Sequence, residues 1–258
     1  MARIIAVVNQ KGGVGKTTTA VNLATALTMQ KKKVLLCDFD PQANATTGMG
    51  LQKRTKTTNI YDVILGDKTP HEGVISTRFG DVLPSNQVLA GAGMEMYEMK
   101  NREFLLREAL RELELNYDFI FIDCPPSLEL LTVNGLTAAH GLLVPVQCEY
   151  YALEGLADLM NTVRLVKQKL NPELELEGVL LTMYDGRTNL STQVAEEVKR
   201  YFPQKVFSTV IPRNVRLSEA PSHGEPIQIY DPHSRGAEAY GTLAKEVVKM
   251  QSQRLVRR

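Results

Sequence analysis

Residues Ile4–Val8 form an unbroken apolar run, and the chain then passes through Gln10-Lys11-Gly12-Gly13-Val14-Gly15-Lys16-Thr17-Thr18-Thr19 straight into a helix-period segment, Thr17–Gln30. A buried strand, a glycine-rich loop and a helix in immediate succession leave little freedom of fold. Glycines let backbone N–H groups turn inward, and the helix N-terminus adds its dipole and unpaired donors, so the stretch from Gln10 to Thr18 reads as a cradle for phosphate. In such a cradle Lys16 reaches the β- and γ-phosphates of ATP and the Thr17 hydroxyl binds Mg²⁺. The strict pattern G-x-x-x-x-G-K-[ST] is not met, because Gln10 stands where its first glycine belongs. Lys11 is a second cation too far back in the loop to be assigned to the same phosphates. It is free to act elsewhere, for example across a subunit interface.

Further apolar runs recur at Val34–Cys37, Phe119–Ile122, Leu142–Val146, Val179–Thr182 and Val206–Ile211, with a weaker one at Asp81–Leu83. Continuous apolarity without alternation suits strands buried on both faces. Helix-period segments lie between them at Asn101–Leu115, Ser127–Ala139, Glu154–Leu170 and Thr192–Tyr201, and a last one covers about Ser234–Gln253. Strand, helix, strand with right-handed crossovers predicts an α/β P-loop NTPase with a mostly parallel twisted sheet and helices on both faces. No linker divides two cores, so residues 1–258 read as a single domain. Gly48–Gly80 is the least periodic stretch and reads as an excursion or short helices. The basic end, residues 254–258, reads as a frayed, solvated tail.

With 43% hydrophobic and 23% charged residues the chain is not disordered, and a net charge of +1 excludes a histone-like polycation. It does not exclude a local basic patch. The apolar run after Arg3 is too short for a signal peptide or a membrane span, which predicts a cytoplasmic protein with no stable membrane insertion. Cys37, Cys124 and Cys148 are odd in number and far apart, and read as small buried hydrophobes. His71, His140, His223 and His233 sit in loop-like contexts with no nucleophile motif nearby.

Two acidic positions close apolar runs, where parallel sheets bind ligands. Asp123 ends Phe119–Ile122 and is the candidate to hold Mg²⁺ with Thr17, unless it is simply an acid near a helix N-terminus. Asp40, followed by Pro41 and Gln42, can orient an attacking water or accept its proton. Strand alternation puts Asp38 on the same face, and spacing alone does not choose between them.

The run KGGVGKTTT resembles the deviant Walker A loop of the ParA/MinD class of P-loop ATPases. The similarity continues through DFDPQANATTG at Asp38–Gly48, FIDCPPSL at Phe121–Leu128, PVQCEYYALEGL at Pro145–Leu156 and IPRNVRLSEAPSHG at Ile211–Gly224. Nearly the whole chain is covered, and the chain begins two residues before its first strand. Together these resemble the chromosomal ParA (Soj) branch, the small type without an N-terminal DNA-binding extension. The resemblance implies that Lys11 contacts nucleotide in the partner of an ATP-bound homodimer. It makes Asp40 the switch I aspartate needed for hydrolysis, and Pro125 and Pro126 part of switch II. Pro212 and Asn214 would wrap adenine. Arg187 and Arg216 would lie in a patch that holds double-stranded DNA without sequence preference, extended by Lys199, Arg200 and Lys205; neither Arg187 nor Arg216 has an obvious carboxylate partner at helical spacing. The function implied is a partitioning ATPase at the nucleoid, stimulated by a ParB-type centromere-binding protein. A MinD-like membrane-associated ATPase is the alternative, but residues 241–258 offer Leu243, Val247, Val248, Met250, Leu255 and Val256 without Phe or Trp. An electron-transfer protein like the nitrogenase iron protein would need cluster cysteines paired between subunits.

Overall fold

The computed structural model describes residues 1–53, 57–150 and 152–257, with the last three as backbone alone; Tyr151 of the fourth motif and Arg258 of the basic end lie outside it. Among the described residues seven strands form one sheet: β1 (Arg3–Val7), β2 (Val34–Asp38), β3 (Ile75–Thr77), β4 (Gly80–Leu83), β5 (Phe119–Asp123), β6 (Gly141–Gln147) and β7 (Glu175–Thr182). Their order is β3-β4-β2-β5-β1-β6-β7, parallel throughout except for the antiparallel edge strand β3. β1 lies between β5 and β6, in register with both, so the loop that follows β1 emerges beside Asp123 at the end of β5.

The sheet is buried on both faces, as unbroken apolar runs require. Ile4, Ala6, Leu35, Cys37, Ile120 and Ile122 face one core, while Ile5, Val7, Leu36, Phe119 and Phe121 face the other. The second core is covered by α1 (Lys16–Met29), α2 (Asn44–Gly48), α10 (Val215–Glu219), α11 (Ile227–Tyr230) and α12 (Arg235–Arg257). Over the first lie α3 (Ile60–Ile64), α4 (Pro70–Gly73), α5 (Leu89–Glu98), α6 (Leu105–Arg111), α7 (Leu130–Ala138), α8 (Ala152–Lys169) and α9 (Asn189–Tyr201). In α8 the buried positions Ala152, Leu156, Leu159, Val163 and Val166 recur at three- and four-residue spacing, the stripe of a helix with one face on a sheet. α1 is different: it is sandwiched between sheet and α12, and most of its circumference is buried.

The structure corrects several expectations. Val206–Ile211 is not a regular strand. It runs beside β7 through four backbone bonds, Val179 N–H to Lys205, Phe207 to Val179, Ile211 to Leu181 and Tyr184 to Ile211, but the N–H groups of Ser208 and Thr209 go to the Glu246 carboxylate instead. The Gly48–Gly80 stretch holds the short helices α3 and α4 but also β3, whose turn is closed by Thr77 Oγ1 donating to Gly80 C=O. α5 has no counterpart in the sequence pattern, because its two glycines mask a stripe of only three buried residues, Leu89, Ala92 and Met96. The helix expected over Asn101–Leu115 shortens to α6, and that expected from Ser127 begins at Leu130.

Nor is the basic end loose where it is described. α12 continues to Arg257, and Arg254 shares the buried carboxylate of Glu177 with Arg3, whose Nε donates to it at 2.6 Å. This ties the first strand and the last helix to β7. Gly141 makes room for it, since a Cβ there would stand 2.5 Å from the Glu177 carboxylate. Glu177→Gln removes the charge that two guanidiniums bond, and is expected to cost roughly 1.5–3 kcal/mol. Urea denaturation of the two proteins at neutral pH measures it; an unchanged midpoint would show that the clasp contributes nothing net.

Candidate functional site

The loop after β1 is held by two buried side chains. Asn9 accepts the Lys11 N–H at 3.0 Å and donates to the Pro145 carbonyl of β6 at 2.8 Å. Thr182, at the end of β7, donates its hydroxyl to the Val14 carbonyl at 2.8 Å. Gly13 and Gly15 have φ of +74° and +89°, which a side chain would strain, and nothing stands within 4 Å of where a Cβ on Gly12 or Gly13 would project. α1 then starts without a side-chain cap and with no acid in its first turn, whereas α3, α4, α9 and α10 are capped by Asn59, Thr69, Thr188 and Asn214. Its free N–H donors therefore face the hollow of the loop, a place made for an anion.

Lys16 is only 6% exposed, and its ammonium folds back to donate to the Lys11 carbonyl at 3.0 Å. Burial lowers its pKa against the opposing fields of Asp123, Cys124 and Asp40. Asp123 is fully buried and in register with both Val7 and Asp38. Burial pushes its pKa well up, Asp38 adds to the rise, and the Thr17 hydroxyl and Lys16 pull the other way. Even so, neither of its oxygens accepts a well-formed hydrogen bond. A buried carboxylate without donors is costly, and here it stands beside a threonine hydroxyl and an anion cradle. One carboxylate and one hydroxyl, with phosphate oxygens and water completing the shell, are a donor set that fits Mg²⁺.

Asp38 and Asp40, which spacing left unresolved, differ sharply in surroundings. Asp38 is fully buried and accepts from Thr46 N–H and Thr46 Oγ1, both at 2.7 Å, and from Asp40 N–H at 3.3 Å. Burial raises its pKa to about 6, although the Thr46 donors pull it down. Thr46 Oγ1 in turn accepts the Ser85 N–H, so Asp38 anchors the segment after β2. Asp40 lies further out; one oxygen accepts the Gln42 N–H, and its field reaches Lys16.

Lys11 is ion-paired with Glu149 at 3.1 Å, and both side chains are partly exposed. The Gln10 side chain turns away to the Gly155 carbonyl and Asp158. Thr17 and Thr18 border a cleft of about 400 Å³ between α1, α2 and residues 220–225. A cavity of about 750 Å³ between α3, α4 and α6 holds none of these residues. Pro212 bridges to Tyr184, and the Asn214 side-chain oxygen caps α10 by accepting the Arg216 N–H at 2.8 Å.

The basic positions do not form one patch, and Arg187, Arg200 and Arg216 are ion-paired. Arg187 makes a two-pronged pair with Asp185 at 2.9 and 2.7 Å, and Arg216 pairs with Glu219 three residues on and with Asp231. The Arg187 turn and the 212–216 segment are neighbours, since Arg213 N–H donates to Tyr184 and the Arg213 charge acts on Asp185. Lys199 and Arg200 sit at the far end of α9, about 15 Å along the helix, with Arg200 on Glu197. Lys205 donates to the Leu176 carbonyl near the start of β7.

All three cysteines are buried, as expected. His140 accepts the Ile4 N–H and His223 stacks on Tyr230, so both serve the fold. Sequence reasoning missed Asn9, Thr46, Glu149 and Thr182. Asn9 and Thr182 carry a signal, being polar residues at the carboxyl end of an apolar run; Thr46 and Glu149 carry none.

A family model described as an AAA domain matches residues 2–176. The chain is 58% identical to the sporulation initiation inhibitor protein Soj of Bacillus subtilis, over 96% of this chain and 98% of that protein. It is 52% identical to the chromosome partitioning protein ParA of Myxococcus xanthus, over 100% and 92%. Among solved structures it resembles cobyrinic acid a,c-diamide synthase from Mycobacterium smegmatis with bound ADP and magnesium, with a TM-score of 0.86, 39% identity and 98% and 96% coverage.

The buried Asp38 gives the free protein a pH dependence. Its folded pKa, about 6, lies above its unbound value of 3.8, so its contribution to stability is greatest below pH 4 and is lost as pH rises towards 6. Asp38→Asn removes that titration. Its stability relative to the wild type should therefore rise between pH 4 and 6, on the order of 2 kcal/mol. Paired urea titrations across that range test this, and a constant difference would refute it.

Proposed function

Since this chain belongs to the ParA/Soj branch of the ParA/MinD-type P-loop ATPases, we propose that it is a dimerising ATPase switch that partitions chromosomes or plasmids. With ATP it forms a homodimer that holds DNA non-specifically, and hydrolysis stimulated by a ParB-type partner releases it. The observation that carries this reading is the buried Asp123 carboxylate, which accepts no well-formed hydrogen bond, beside the buried Lys16 and under the uncapped start of α1.

In this reading Lys16 leaves the Lys11 carbonyl for the β- and γ-phosphates, and the N–H groups from Gly12 to Thr18 surround them. Thr17 and Asp123 hold Mg²⁺, which when bound neutralises charge developing on the phosphate oxygens. Asp40 orients the attacking water; Asp38, committed to Thr46, fixes the segment that carries Asp40. Pro212 and Asn214 receive the adenine, with the Asn214 amide nitrogen on the base while its oxygen caps α10. Lys11 exchanges Glu149 for the partner's nucleotide, an exchange that costs little because exposed ion pairs are weak.

Arg187 and Arg216 meet DNA phosphates in the same way, by exchanging carboxylates for phosphates. One protomer's patch is small, and two joined in a dimer double the neutralised phosphates, on which log K depends linearly. Lys199 and Arg200 add a separate, weaker contact at the other end of α9. In this reading the working protein acts in the cytoplasm, on the nucleoid. A MinD-like membrane mode finds less support. Leu243 and Val247 of α12 are buried and Val248 and Met250 partly so, and among the described residues no helix is long and apolar enough to cross a membrane. Cys124 and Cys148 are buried within one chain, which disfavours a cluster shared between subunits.

Asp40→Ala keeps the phosphate cradle and removes the water-orienting carboxylate. Size-exclusion with ATP and Mg²⁺ should give a persistent dimer with phosphate release reduced at least ten-fold; normal turnover would move the role elsewhere.

Arg187→Ala, and more so together with Arg216→Ala, should weaken binding to two unrelated duplexes alike while ATP-dependent dimerisation persists. The salt slope should fall by roughly one unit for each phosphate no longer neutralised, counted twice in a dimer. Asp185→Asn, which frees Arg187, should move affinity the other way. Weakening confined to one duplex, or an unchanged slope, would refute non-specific phosphate binding by these arginines.

A further inference from the structure

Residues 206–211 lead directly into Pro212 and Asn214, yet they lack the regular ladder that would fix a strand's path. Phe207 and Ile211 each keep one backbone bond to β7, at Val179 and Leu181, and two further restraints act around and between them. Downstream, the Ile211 carbonyl accepts Tyr184 N–H at 3.0 Å, and Arg213 N–H donates to Tyr184 C=O at 3.1 Å. Upstream, one side chain from the last helix takes every donor that Ser208 and Thr209 offer: Glu246 Oε1 accepts Ser208 N–H and Oγ, both at 2.8 Å, and Oε2 accepts Thr209 N–H at 3.1 Å and Oγ1 at 2.8 Å. Both oxygens of one carboxylate are thus spent on two consecutive residues, and Thr209 is buried beneath them.

We propose that Glu246 is a positioning residue for nucleotide recognition: its carboxylate sets the path by which residues 208–211 deliver Pro212 and Asn214 to the base. The inference rests on the reading that these two residues receive adenine. Only an anion satisfies all four donors. A glutamine keeps one acceptor oxygen and turns an amide N–H₂ towards Thr209, where it opposes the backbone N–H and forces the hydroxyl to turn from donor to acceptor, so the clamp on that residue is lost. The phosphate cradle hangs from Asn9 and Thr182 and does not use Glu246, so the two parts of nucleotide binding separate.

The test is displacement of a fluorescent ATP analogue from the full-length protein by ATP and, separately, by inorganic tripolyphosphate, which has no base. Glu246→Gln should weaken ATP roughly ten-fold and leave tripolyphosphate unchanged. Ser208→Ala, which removes one donor of four and keeps the backbone, should give a smaller loss of the same kind. Equal losses for both competitors would mean general loosening and overturn the proposal. Asn214→Ala is measured alongside. If it weakens ATP alone while Glu246→Gln does nothing, the positioning role is wrong and the base reading stands; if neither variant changes the ratio of the two affinities, both are wrong.

Discussion

The arrangement turns on an excess of buried negative charge at the carboxyl edge of three adjacent strands. Parallel register sets Asp38 of β2 opposite Asp123 of β5, and Val7 of β1 opposite Asp123, so the loop that begins after β1 delivers Lys16 to a place where carboxylates already converge. Asp40 and Asp123 act on one ammonium, and Asp38 and Asp40 both crowd Asp123. Desolvation makes that balance unfavourable, and backbone donors relieve it unequally. Asp38 is compensated by three hydrogen bonds and Asp40 by one, while Asp123 has no well-formed bond. Three like groups thus sit in three unlike environments: an anchored carboxylate, one nearer the surface, and one buried without a well-formed hydrogen bond.

The anchor carries the geometry outward. Thr46, bonded to Asp38, lies in α2, so the helix after Asp40 is fixed to the end of β2. α2 then ends against the turn that follows α10. Gly50, with φ of +81°, leaves only enough room for the Gly224 carbonyl, 3.4 Å from where a Cβ would stand. The segment that bears Arg216 therefore rests on the segment that bears Asp40. Behind it, α12 buries Tyr240 and Leu243 against α1 and sends Glu246 to the approach of Pro212. The second core thus joins the loop after β1, the segment after β2 and the 208–225 stretch in one packed layer.

How much of this is legible in the sequence follows from the range over which each feature is determined. The unit β1–loop–α1 is local: an apolar run, glycines and a helical period, all within Ile4–Gln30. Strands buried on both faces are also readable, because burial leaves continuous Val, Ile and Leu. Val206–Ile211 has that same apolarity and misleads, since what withholds regular pairing is Glu246, more than thirty residues away. β3 and α5 escape notice for the opposite reason, having too few buried residues to make a period. The choice between Asp38 and Asp40 depends on Thr46 folding back, which strand alternation does not encode.

The partners of the basic residues are the least legible, and they bear most on how a switch can work. Lys11 is held by Glu149, Arg187 by Asp185, and Arg216 by Glu219 and Asp231, all in partly or wholly exposed pairs. With a net charge of +1 on the chain, and with Lys11, Arg187 and Arg216 each matched locally, these positions present little field to a polyanion at a distance. Every intermolecular contact assigned to these residues is then an exchange of a carboxylate for a phosphate, with little net gain from any single exchange. Exchanges of that kind become decisive only when several are made at once, as in a dimer that presents two copies of each. On the proposed reading, weak pairing in the free chain makes the grip on a polyanion depend on assembly, and makes the grip reversible once assembly is undone.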